Sequence, residues 1–173
     1  MKVPNACFLV LMVAIGKSEG KRNRLVIPEP LPEEEFCLIS CKGACYYQIQ
    51  RTVPLQWPGA DGECDNLREG GHLANIYNRR CYNDIREALI KRKSRGQFLI
   101  GMKYQQELSN LGDKLNLYNS EDRVKNPRWY RNRPNRIGQK EIVLIIGQKP
   151  KLSGLRNVLD GGLHQKILCQ VEK

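Results

Sequence analysis

The sequence predicts an α+β domain: two helices packed on short antiparallel sheets, with a long loop region and disulfide cross-links. Three observations carry that expectation. Apolar residues recur at helical spacing in two segments, short apolar runs of strand length follow, and six cysteines remain once a cleavable leader is set aside. Two helices followed by several short strands on long loops is an α+β plan.

Residues 1–16 read as a signal peptide. Lys2 supplies the positive charge, and the apolar run over residues 6–15 is too short to span a bilayer. Small residues place cleavage after Gly16, with Gly20 as the alternative. No later segment approaches the ~18 apolar residues that a membrane span needs, so a secreted, extracellular chain is expected. Residues 17–36 read as a tail. Lys21, Arg22 and Arg24 precede IPEPLPEEE, whose prolines disfavour helix and strand. The domain is expected over residues 37–173.

Within it, Tyr46, Tyr47 and Ile49 suit a strand. Trp57, Ala60, Cys64 and Leu67 then fall at helical spacing, Pro58 fits a first helical turn, and Gly70 and Gly71 stop that helix. A second helix is expected from about residue 78 to 93, with Cys81, Ile85 and Leu89 on one face and Gly96 at its end. Residues 98–102, 142–146 and 167–171 are short apolar strands.

Loss of Cys7 with the leader leaves Cys37, Cys41, Cys45, Cys64, Cys81 and Cys169. Zinc would suit the short spacing of the first three, but an oxidising compartment favours a disulfide framework. No metal and no cofactor are expected. His72 and His164 are the only histidines, and Glu33, Glu34 and Glu35 lie in the Pro-rich tail, so acid–base catalysis has few candidates. No phosphate-binding glycine loop occurs, and an enzyme is not expected.

Charge narrows the partners. The chain carries 29 basic and 18 acidic side chains, a net charge of +11. Such an excess favours glycosaminoglycans, anionic membrane surfaces, nucleic acid, acidic proteins or mineral-associated polyanions. One segment concentrates it: Arg123, Lys125, Arg128, Arg131, Arg133, Arg136 and Lys140, with Trp129, Tyr130 and Asn135 among them. Basic groups interleaved with aromatics can hold sulfate or carboxylate while a ring stacks on a ring. A solvated loop would also account for them. Lys91, Arg92, Lys93 and Arg95 form a second group, which reads as a solvated helix end.

The order of motifs resembles the C-type lectin-like domain family. Cys45-Tyr46-Tyr47, then WPGADGEC from Trp57 to Cys64, then Gly70-Gly71-His72-Leu73-Ala74 follow that family's opening. Phe98-Leu99-Ile100-Gly101-Met102 resembles its WIGL strand, and Ile167-Leu168-Cys169-Gln170 its closing FICE. The likeness covers about four fifths of the chain. It implies a Cys64–Cys169 bridge and a second bridge from Cys45 to Cys37 or Cys41. The remaining upstream cysteine could then reach Cys81. The family's other internal bridge is missing, with Ile142 and a glycine near Gly161 or Gly162 where cysteines are expected.

Calcium-binding members carry a Glu-Pro-Asn or Gln-Pro-Asp triplet and an Asn-Asp pair. The matching positions here are Arg133-Pro134-Asn135 and Asn157-Val158. A guanidinium offers no acceptor, and calcium needs several oxygen ligands. Glu141 and the two asparagines are too few. The resemblance therefore implies a calcium-independent binding module, and Trp129 matches a family tryptophan with a structural role. Its expected partner is an anionic glycan, or alternatively an extracellular protein or a matrix scaffold. Nothing in the chain resembles a nucleic-acid module, and oligomeric state stays open.

Overall fold

The structure, a computed structural model, describes residues 36–105, 114–118, 120, 123–124, 126–134 and 139–173. The expected signal peptide and nearly all of the tail lie outside the described residues, as do Lys125, Asn135 and Arg136.

In chain order the elements are β1 (Ile39–Cys41), β2 (Ala44–Leu55), α1 (Trp57–Leu67), β3 (His72–Leu73), α2 (Arg79–Lys91), β4 (Gly96–Gln105), β5 (Lys114–Asn116), β6 (Glu141–Ile146), β7 (Gly154–Val158) and β8 (His164–Glu172). The main path through the sheet runs β1-β2-β8-β4-β6-β7, with β3 on β8 and β5 on β4. One pairing departs from the antiparallel expectation. β4 meets β8 in parallel at Leu99 and Ile167, because β8 returns from β7 into the centre of the sheet.

Alternation along the strands sorts side chains onto two faces. Phe98, Ile100, Met102, Ile142, Leu144 and Leu168 point to one face, where Tyr82, Ile85 and Leu89 of α2 cover them. Leu99, Val143, Ile167 and Cys169 point to the other, against Ala60 and Cys64 of α1. α2 starts where its cap directs: the Asn78 side chain accepts from the Cys81 amide at 2.9 Å. After α1, Gly71 sits where a Cβ would lie 2.5 Å from the Cys64 carbonyl oxygen, so the turn admits no side chain.

All six expected cysteines are bridged, as Cys37–Cys45, Cys41–Cys81 and Cys64–Cys169. The last ties α1 to β8 across 105 residues of sequence. Cys41–Cys81 fastens the first turn of α2 to β1, resolving the pairing that spacing alone left open. Ile142, where the family carries a cysteine, is fully buried in the core. Gly161 takes a positive φ of 77°, and its amide donates to Glu141. The cross-link is replaced there by packing and one hydrogen bond.

Candidate functional site

β4, β6 and β7 bring the long-loop end of the sheet together. Glu141 pairs with Lys103 on one side and Val158 on the other. Glu141 is buried, and its Oε1 accepts from the Gly161 amide at 2.9 Å. Burial pushes its carboxyl above the ordinary range; Asp160 adds to the rise, while the Gly161 amide and the Lys103 ammonium oppose it. Asp160 is occupied as well, its Oδ1 accepting from the amides of Lys140 and Glu141 at 2.9 and 3.1 Å. Asn157 is fully buried, with its amide nitrogen 3.5 Å from the Gln139 carbonyl oxygen. Val158 packs against the second core cluster.

This set does not fit calcium. The family's acidic positions hold a half-buried valine packed against the second core cluster and an arginine, half-buried beside the cis bond to Pro134. Glu141 Oε1 is taken up by the Gly161 amide, and the nearby Asp160 Oδ1 is occupied by two backbone amides. Among the described residues no group of three His, Cys, Asp or Glu could hold a metal ion. Glu141 Oε2 and Gln139 Oε1 are buried without a hydrogen-bond partner among the described residues, but a divalent cation needs several oxygen ligands, mainly carboxylate and carbonyl, and a guanidinium and a valine stand at the family's other acidic positions.

Structure divides the expected basic site. Arg123 bridges Asn116 beside β5, with Val124 donating to Leu115, so it lies at the long-loop end. Lys140 is at the same end, its carbonyl accepting from Tyr104. Arg131 is exposed in the turn leaving β7's edge, and Arg133 follows, its amide donating to Tyr130. Tyr130 is half-buried, donating to Leu155 from its own amide. Arg128 lies apart, lining a crevice with Asn78, Arg79 and Tyr82 at the start of α2. Trp129 packs on the core, edge-on to Tyr104 with centroids 5.8 Å apart.

The sequence reading missed Lys103. It is exposed, and its ammonium lies 4.7 Å from the Trp57 ring centroid. Trp57 stacks on Tyr118 at 5.5 Å, and Tyr118 stacks on His72 at 4.8 Å. A column of cation, indole, phenol and imidazole therefore joins β4, α1, the base of the long loop and β3. The Tyr118 hydroxyl donates to Asp61, and its amide to Asn75. His72 belongs to this column. Lys103 was legible only as the outward member of an alternating strand, between buried Met102 and Tyr104.

No family model matches the chain, and no curated protein does. Solved structures do. Human lithostathine superposes with a TM-score of 0.60 at 15% identity, covering 83% of this chain and 92% of its own. The chain has the C-type lectin-like fold. The C-type lectin domain of murine dendritic cell inhibitory receptor 2, solved with an N-glycan, gives 0.57 at 16% identity, covering 78% of this chain and 95% of its own. A calcium-independent type II antifreeze protein gives 0.55 at 17% identity, covering 78% and 90%. The surface just described lies at the end of β4 from which the chain leaves toward β5. Among the described residues no helix is long and apolar enough to cross a membrane.

Proposed function

We propose that this chain is a secreted, calcium-independent C-type lectin-like binding protein that recognises anionic, sulfated glycosaminoglycan-like glycans through the basic surface at its long-loop end. One observation carries the reading. At the positions where the family gathers calcium ligands, this chain presents Arg133, a core-facing Val158 and a Glu141 turned inward onto Gly161. Lys103 pairs with Glu141, Lys140 precedes it, Arg123 bridges the Asn116 that pairs with Lys103, and Arg131 is exposed in the turn after Tyr130. Sulfate and carboxylate groups pair with such cations through short, charge-assisted hydrogen bonds. Lys125, Asn135 and Arg136, outside the described residues, belong to the same basic segment of the sequence.

Support also comes from the fold's neighbours, one solved with an N-glycan and one described as calcium-independent. Binding, not catalysis, is the activity such a surface performs. Trp129 serves as a support for the loop, since it packs on Tyr104. Chromatography on heparin tests the proposal. The native chain is expected to elute at high salt with or without a chelator, and Arg123→Glu with Arg131→Glu to elute earlier. Elution at low salt, unmoved by those substitutions, would remove the reading in favour of a protein partner.

A further inference from the structure

The residues after α2 read from sequence as a solvated helix end, but the fold adds two distant segments to them. Gly96 pairs with Ile146, which sets the turn carrying Arg92, Lys93 and Arg95 beside the β6–β7 turn carrying Lys149 and Lys151. The parallel contact of Leu99 with Ile167 brings Lys166 alongside. Its ammonium donates to the Arg95 carbonyl oxygen and lies 5.5 Å from the Phe98 ring centroid. Arg92, Lys93, Arg95, Lys149 and Lys151 are exposed, and Lys166 is half-buried. Residues 91–97, 147–153 and 164–168 contain no acidic side chain. Glu87, one turn earlier on α2, has Lys91 as its i+4 neighbour.

We propose that this end of the sheet is a second anion-binding surface that takes a sulfated glycosaminoglycan chain. Six cations gathered from three segments repel one another, and a polyanion relieves that repulsion. Their backbone is held in place. Ser94 donates to the Leu89 carbonyl at 2.8 Å, Leu152 to Lys149 at 2.9 Å, and the Gly147 amide to Ser153 Oγ at 3.0 Å. Fixed backbone lowers the ordering cost of binding a long anion. The chemistry of the surface favours a soluble chain over a bilayer, because residues 91–97, 147–153 and 164–168 include no exposed large apolar side chain. It also lacks the exposed aromatic platforms on which single-stranded nucleic acid stacks, since Phe98 is buried.

β4 spans ten residues between this surface and the long-loop end, a separation of about 30 Å. If the long-loop reading also holds, one molecule grips two glycan segments and cross-links them. That consequence rests on the proposed function; the second surface itself does not.

The test uses the full chain and heparin. One variant reverses Arg92→Glu, Arg95→Glu and Lys151→Glu; a second reverses Arg123→Glu, Arg131→Glu and Lys140→Glu. Circular dichroism checks that each folds, and glutamine replaces glutamate where reversal prevents folding. Each ionic contact adds roughly one to the slope of log affinity against log salt, so the first variant should lose about three from that slope. Light scattering at substoichiometric heparin should rise for the native chain and for neither variant. An unchanged slope and affinity in the first variant would overturn the second surface. A loss in the first variant with none in the second would refute the long-loop reading and leave this surface as the sole site. Tighter binding to duplex DNA or phosphatidylserine vesicles than to heparin would overturn the ligand assignment.

Discussion

Replacing both Cys41 and Cys81 with alanine should cost about 4 kcal/mol of stability. That bridge closes a loop of 40 residues, and the chain-entropy model gives this value for a loop of such length. Alanine is the suitable replacement, since Cys81 is fully buried in a helix and serine would bury an added hydroxyl. For the roughly 140 residues from Cys37 onward, the unfolding entropy near the midpoint is on the order of 0.3 kcal/mol per degree. The melting temperature should therefore fall by about 10–15 °C, read by circular dichroism with the other two bridges intact. The Cys37–Cys45 bridge closes only 8 residues, and its removal should cost about 2.5 kcal/mol. A fall of less than about 3 °C for the Cys41/Cys81 pair would show that this bridge does not constrain the folded chain as described.

Other consequences follow from the same contacts. Burial lowers the His164 imidazole below its ordinary value of 6.5. The unfolded chain then binds the extra proton, so stability should fall as pH drops through about 6.5, and His164→Gln should flatten that slope in urea melts. Glu141 has the opposite sign: its raised carboxyl holds a proton that the unfolded chain releases above 4.5. Stability should fall as pH rises through that window. Glu141→Gln should remove this slope, because its amide oxygen can still accept from Gly161, and a steeper slope in that variant would contradict the assignment. Tyr118→Phe should cost about 1–2 kcal/mol through the lost hydrogen bond to Asp61, while leaving the stack on Trp57 and His72 in place. An unchanged denaturant midpoint for Tyr118→Phe would show that this bond contributes nothing.

Long periodic segments were legible in the sequence because local pattern and tertiary packing agree there. α2 was expected over residues 78–93 and runs Arg79–Lys91, its cap and buried face both written in the chain. β1, β3, β5 and β7 were not foreseen. They are two to five residues long, and β7 reads Gly-Leu-Arg-Asn-Val, whose polar members give no strand alternation. β7 is a strand because β6 pairs along it, a fact of the fold and not of those five residues. The bridge from Cys64 to Cys169 followed from the family likeness, whereas the partner of Cys41 needed coordinates.

The site was legible in part. Arg133 and Val158 announced the loss of acidic ligands by identity alone. Lys103 did not stand out, since a single outward lysine on a strand looks like any solvated side chain. Its meaning comes from Glu141 opposite and Trp57 beneath. Likewise Lys149, Lys151 and Lys166 are unremarkable in a chain of net charge +11. Only strand pairing makes them neighbours of Arg92 and Arg95.

Calorimetric titration of the folded chain with heparin oligosaccharide, in calcium and again in excess chelator, addresses the central claim most directly. The two isotherms should coincide, with affinity falling as salt rises and calcium alone giving no heat of binding. Stoichiometric calcium uptake, followed by recognition of a neutral monosaccharide that chelator abolishes, would contradict it.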